Sequence, residues 1–176
     1  GVFRFLVFQE KSTGKEHIAL VKPWGKKIPL VRIHSECATG DIFASKYCDC
    51  KDQLQEALRM IAQQGGVLLY LRQEGRGIGL TAKIKAYELQ RKGLDTVEAN
   101  QKLGRGADER GYEVAVRLLR QLKVSTLRLL TNNPNKMKAL VQNGFRVERQ
   151  ALILSLKTTR GKKYVQTKQK KLRHLF

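Results

Sequence analysis

Cys37, Cys48 and Cys50 are the only cysteines of the 176-residue chain, and all three fall within the stretch HSECATGDIFASKYCDC, residues 34–50. Three thiols cannot all pair within one chain, and nothing in the sequence indicates secretion, so disulfide bonding is not their purpose. Thiolates are soft ligands that suit zinc, and a catalytic zinc takes three protein ligands while leaving its fourth position to water. Such a metal lowers the pKa of water toward neutrality, which points to hydrolysis. The spacing C-x10-C-x-C therefore reads as a hydrolytic zinc centre held by Cys37, Cys48 and Cys50. The alternative is a closed structural site, with His34, three residues before Cys37, as the fourth ligand. Glu36, Asp41 and Gln53 are polar neighbours able to shuttle protons or orient a substrate.

These residues need elements to position them. Residues 2–8 and 17–22 read as strands around a turn at Ser12-Thr13-Gly14, and IPLVRIHSE as a strand leading into the cysteines. From Asp52 to Gln64, Leu54, Ala57, Leu58, Ile61 and Ala62 recur at helical spacing, with Gly65-Gly66 as the stop. VLLYL (67–71) is a short buried strand, followed by the Gly-rich RQEGRGIGL and a helix around 80–92 closing at Gly93. ANQKLGRGADERG reads as a loop of mixed charge, and Tyr112, Ala115, Val116, Leu119 and Leu122 line one face of the next helix. TLRLLT is a strand, NPNKMKALVQNG a helix with its stop glycine, and FRVERQALIL extended. Strands alternating with helices predict an α/β fold, a three-layer α/β/α arrangement around a mixed sheet in a single domain.

Thirty-five Lys and Arg against fifteen Asp and Glu give a net charge of +20, a field that attracts nucleic acid, acidic membranes and nucleotide phosphates. The excess concentrates at the end. Eight basic residues and no acid lie between Ala151 and Phe176, so the segment at about 156–176 reads as a basic tail. No apolar run is long enough to span a bilayer. The N-terminal GVFRFLVFQEK has no basic leader or small-residue cleavage pattern, which argues against a signal peptide and for the cytoplasm. The missing initiator Met fits a piece of a longer chain. A zinc-stabilised nucleic-acid-binding domain is the rival reading, on the strength of the charge. A zinc nucleobase deaminase lacks its C-x-x-C pair.

RIHSECATGD, CDCKDQL, RQEGRGIGL, DTVEAN, ADERGY and LLTNNPNK together resemble, in order and spacing, the motifs of GTP cyclohydrolase II, which opens the riboflavin pathway. The resemblance runs from Gly1 to about residue 175. It implies release of pyrophosphate from GTP and hydrolysis of the guanine imidazole ring, with C8 leaving as formate. Zinc on Cys37, Cys48 and Cys50 would serve ring opening, and Mg2+ would accompany the triphosphate. The resemblance further implies nucleotide contacts from Arg32, Ile33, His34, Ser35 and Glu36, and from Gln53, Glu74, Gly75, Arg76, Thr96, Thr131 and Lys136. Tyr87 is implied as a proton donor near the base, and Asp108 and Arg110 as the pair acting at the α-phosphate. Arginine stays protonated in proteins, so an electrostatic role for Arg110 is simpler than a nucleophilic one. Tyr47, Lys51, Gly111 and Arg173 depart from the family's usual residues. A divergent branch acting on a related nucleotide is the alternative they raise. The resemblance also implies a homodimer, and in some members fusion to an upstream riboflavin-pathway enzyme.

Overall fold

The computed structural model describes residues 1–106 and 108–152. The basic segment at 156–176, with Arg173 and His174, lies outside the described residues, as does the end of the expected FRVERQALIL stretch.

Six strands form one sheet: β1 (Arg4–Gln9), β2 (Glu16–Lys22), β3 (Leu30–Ser35), β4 (Gly66–Leu71), β5 (Thr126–Leu130) and β6 (Arg146–Gln150). Their spatial order is β1-β2-β4-β3-β5-β6. β4, β3, β5 and β6 run parallel, whereas β2 is antiparallel to both β4 and β1, so the sheet is mixed as the sequence predicts. The helices are α1 (Cys50–Gln64), α2 (Leu80–Arg91), α3 (Thr96–Lys102), α4 (Glu113–Gln121) and α5 (Pro134–Gln142).

Alternate residues of a strand face opposite sides of the sheet, and the two cores separate on that rule. Val31, Ile33, Val67, Leu69, Leu127 and Leu129 pack on one face against Ala115, Val116 and Leu119 of α4 and Leu140 of α5. Leu30, Leu68 and Leu130 pack on the other face against Ala57 and Ile61 of α1. Central strands covered on both faces read as near-continuous aliphatic runs, which is why VLLYL shows no alternation.

Gly66 opens β4 opposite Leu30, at φ +143°, and a Cβ there would stand 1.9 Å from the Leu30 carbonyl oxygen. The central β3–β4 pairing therefore needs a residue without a side chain at this point. Gly66→Ala is expected to lower the urea unfolding midpoint by an amount worth at least about 1–3 kcal/mol. An unchanged midpoint would refute this close approach.

One expectation is corrected. The segment 99–111 is not loop throughout, because its first part is the end of α3. Asp95 accepts hydrogen bonds from the Val97 and Glu98 amides, and Glu98 reaches back to the Asp95 amide. This capping box starts a helix that the polar composition of ANQK conceals.

From β3 the chain crosses to β4 on one side, and β5 then lies on the other side of β3. Reversals of this kind open a crevice at the carboxyl ends of the strands. The loops after β3, β4 and β5 meet there.

Candidate active site

Cys37 follows β3, Cys48 lies in the connection to α1, and Cys50 is the first residue of that helix. A π-helical turn at Ala38–Ile42 folds the chain back, so that the three sulfurs lie within 4.8 Å of one another. Gly40 sits against them. A Cβ at Gly40 would stand 2.7 Å from Cys48 Sγ and 3.0 Å from Cys37 Sγ. Three converging soft donors in a cradle that a methyl group would fill suit a thiophilic metal such as zinc. Gly40→Ala is expected to leave the fold intact and to weaken metal uptake by at least about tenfold, the scale on which neighbours of metal ligands act. Chelator competition measures it, and wild-type affinity in the variant would contradict the cradle.

Hydrogen bonds from Cys48 and Cys50, joined by Lys83, hold the Cys37 thiol far below its ordinary pKa. The hydrogen bond to that thiolate pushes Cys48 up to about 11, and Cys50 is raised for the same reason. A divalent metal must therefore displace the protons of Cys48 and Cys50 to bind all three sulfurs.

His34 does not close the cluster as a fourth ligand. Its Nε2 lies 3.1 Å from Asp41 Oδ2, an oxygen that also accepts from the Tyr70 hydroxyl at 2.9 Å and the Cys37 amide at 3.0 Å. Burial lowers the His34 pKa, so Nε2–H of the neutral ring donates to Asp41. Asp41, with 3% of its side chain exposed, thus braces the Cys37 backbone and is not free to shuttle protons. Glu36 pairs with Arg72 at 3.1 Å.

After β4, Gly75, Arg76 and Gly77 all have positive φ, 61°, 63° and 95°. A non-glycine residue there costs on the order of 1–3 kcal/mol, and such strain gathers at functional sites. The Glu109 amide donates to the Arg76 carbonyl at 2.9 Å and helps hold the turn. Glu74, at its start, is buried. Its Oε1 accepts from the Gly75 amide and from Lys83 Nζ, each at 2.8 Å, and Oε2 from the Ala38 amide at 2.6 Å. Beside the thiols, the Tyr87 hydroxyl lies 3.1 Å from Thr39 Oγ1, and its ring stacks on Tyr47 with centroids 4.7 Å apart.

Cations also line the cleft. Arg32 donates to the Leu130 carbonyl at 2.9 Å and to Gln53 Oε1 at 2.5 Å, and burial draws its pKa down to about 10 despite Asp49. Lys136 Nζ reaches the Ile33 carbonyl at 2.6 Å. Arg110 grips Asp108 through Nε at 2.7 Å and through Nη2. The resulting cleft is open to solvent.

The cleft brings together Arg32, His34, Ser35, Gln53, Glu74, Gly75, Arg76, Tyr87, Thr96, Arg110, Thr131 and Lys136 with the three cysteines. Three expected residues do not line it. Ile33 is fully buried in the core, Glu36 turns to Arg72, and Asp108 stands behind Arg110. Sequence reasoning missed Lys83, Asn100, Asn132 and Asn133, which do line it. Asn133 caps α5 through the Asn135 amide, so its place in an N-P-N helix start was the available signal. Lys83 carried none, since its partners come from distant segments.

The GTP cyclohydrolase II family model matches residues 1–151. GTP cyclohydrolase-2 of Aeromonas hydrophila is 51% identical over 179 residues, covering 100% of this chain and 91% of its own length. GTP cyclohydrolase-2 of Pseudomonas fluorescens is 50% identical over 172 residues, covering 96% of this chain and 84% of its own. The riboflavin biosynthesis protein RibBA of Bacillus velezensis is 50% identical over 180 residues, and this chain spans 45% of its length.

Proposed function

This chain belongs to the GTP cyclohydrolase II family, and from that premise we propose that it is a zinc-dependent hydrolase acting on GTP in riboflavin biosynthesis. The products are pyrophosphate, formate and a diaminopyrimidinone ribosylamine phosphate. One observation carries the reading: a single cleft is lined by three converging thiols together with arginines and a lysine. That combination suits a molecule with a ring to be opened and a triphosphate to be cut.

Cys37, Cys48 and Cys50 would hold zinc, which supplies a Lewis acid and an activated water beside the guanine ring. Glu74 reads the base. A carboxylate offers about four acceptor positions. The Ala38 and Gly75 amides and Lys83 take three of these, which leaves Oε2 one guanine N–H to accept. Tyr87, pushed up to about 12 by burial, keeps its proton at neutral pH and donates it during ring opening. Gln53, Thr96, Thr131 and the backbone of the segment 32–36 orient the nucleotide. Arg32, Arg76, Arg110 and Lys136 gather the phosphates, to which Mg2+ binds as the companion of the substrate.

Arg110 stabilises charge developing at the α-phosphate and Asp108 aims it. The resemblance carries over a homodimer, and three thiols meant to bind a metal suit a reducing cytoplasm. The charge of +20 supports incidental nucleic-acid affinity, which would fall steeply with salt. No helix among the described residues is long and apolar enough to cross a membrane.

The deciding experiment incubates the zinc-loaded protein with GTP and Mg2+ and follows formate and pyrophosphate separately. Release of both supports the reading. Neither product from protein that contains zinc would overturn it in favour of another nucleotide or a binding role.

A further inference from the structure

Lys83 lies in α2, with its side chain 11% exposed. Its Nζ stands 3.0 Å from Cys37 Sγ and 2.8 Å from Glu74 Oε1, and 5.7 Å from the centroid of the Tyr87 ring. Ordering a long lysine side chain costs up to about 2 kcal/mol of rotamer entropy. Here its charge is held on one sulfur and one carboxylate, both lining the cleft.

The charge count gives the lysine a purpose. Three thiolates around a divalent metal leave one net negative charge, which opposes the Lewis acidity that hydrolysis needs. An ammonium hydrogen-bonded to a ligand sulfur offsets part of that charge, even while shared with a carboxylate, and draws electron density away from the metal, as outer partners of metal ligands do. The same ammonium fixes the Glu74 carboxylate. Glu74 in turn holds the Ala38 amide, next to Cys37. The loop after β3 and the turn after β4 are thus tied through one cation.

We propose that Lys83 is a positioning residue of the thiol site: it offsets part of the excess negative charge of the cysteine cluster through Cys37 and locks Glu74 at a fixed distance from it. This inference rests on the zinc reading above and adds to it a residue that the reading does not use.

Cobalt substitution gives a readout besides activity, because thiolate-to-cobalt charge transfer reports electron donation by sulfur. The wild type, Lys83→Met, Lys83→Gln and Lys83→Arg are each loaded with cobalt and their absorption compared; zinc-loaded samples are assayed for formate. In Lys83→Met the band is expected to move to longer wavelength at unchanged cobalt stoichiometry, and formate release to fall roughly 10–100-fold. Lys83→Arg, which keeps a cationic donor, is expected to return the band toward its wild-type position. Lys83→Gln provides the same comparison if the methionine variant does not fold. A thiolate band in the wild type that stays in place in the folded neutral variants would overturn the proposal while leaving the metal reading intact. A wild type that takes up cobalt without any thiolate band would overturn both.

Discussion

Cys48→Ser is expected to empty the thiol cluster of zinc and to abolish formate release. The substitution exchanges a soft thiolate for a hydroxyl that stays protonated at neutral pH, while the side chain keeps nearly its size. A two-thiolate remnant of Cys37 and Cys50 cannot complete the tetrahedral set. Substituting a residue that merely touches a metal ligand costs about 10–100-fold, so removing a ligand should cost more than about 100-fold in formate release. The fold should survive. α1 is held by Ala57 and Ile61 against the sheet, well along the helix from Cys48. Circular dichroism should therefore match the wild type while zinc content drops to background. Full zinc stoichiometry with normal formate release would refute the metal assignment.

Arg110→Ala is expected to reduce pyrophosphate release by roughly 10²–10³-fold, the usual cost of removing a donor from a developing anion. Arg110 is held ready by its two-point grip on Asp108. Burial pushes the Asp108 carboxyl up, and the guanidinium outweighs it, holding that carboxyl below its ordinary pKa. A depressed carboxyl stabilises the fold above its unfolded pKa and loses that contribution as pH falls through the folded value. Arg110→Ala should therefore also be less stable than the wild type at neutral pH, with the difference shrinking in acid. Arg110→Lys separates charge from geometry. It keeps the charge but not the bidentate fork, so activity above that of Arg110→Ala shows the charge acting alone, and activity no higher shows that the fork is required.

Much of the scaffold was legible because its signals are local. An alternating pattern marked β2, an aliphatic run marked β3, helical spacing marked α4, and stop glycines marked the ends of α1 and α5. α3 was missed because its stabilising feature is a pair of side chains at Asp95 and Glu98 and not an apolar face. In the site, the cysteines were legible by type and spacing. The roles of Asp41 and His34 were not, since their mutual bond beneath Cys37 depends on how the π-helical turn folds back on β3. Lys83 was invisible for the same kind of reason. Its two polar partners precede it by 46 and 9 residues, and no helical periodicity of α2 singles it out.

β3 divides its side chains strictly. Val31 and Ile33 enter the core under α4, while Arg32 and His34 face the cleft. A single-residue deletion inside the strand would turn every later side chain over. The guanidinium and imidazole would then enter the aliphatic core, and Val31 and Ile33 would take their places among the cations. At this strand a stabilising change cannot be bought with activity, or activity with stability, because one backbone phase sets both. A change in length is better borne in the connection before Leu30, where an inserted residue alters a loop without inverting the sheet.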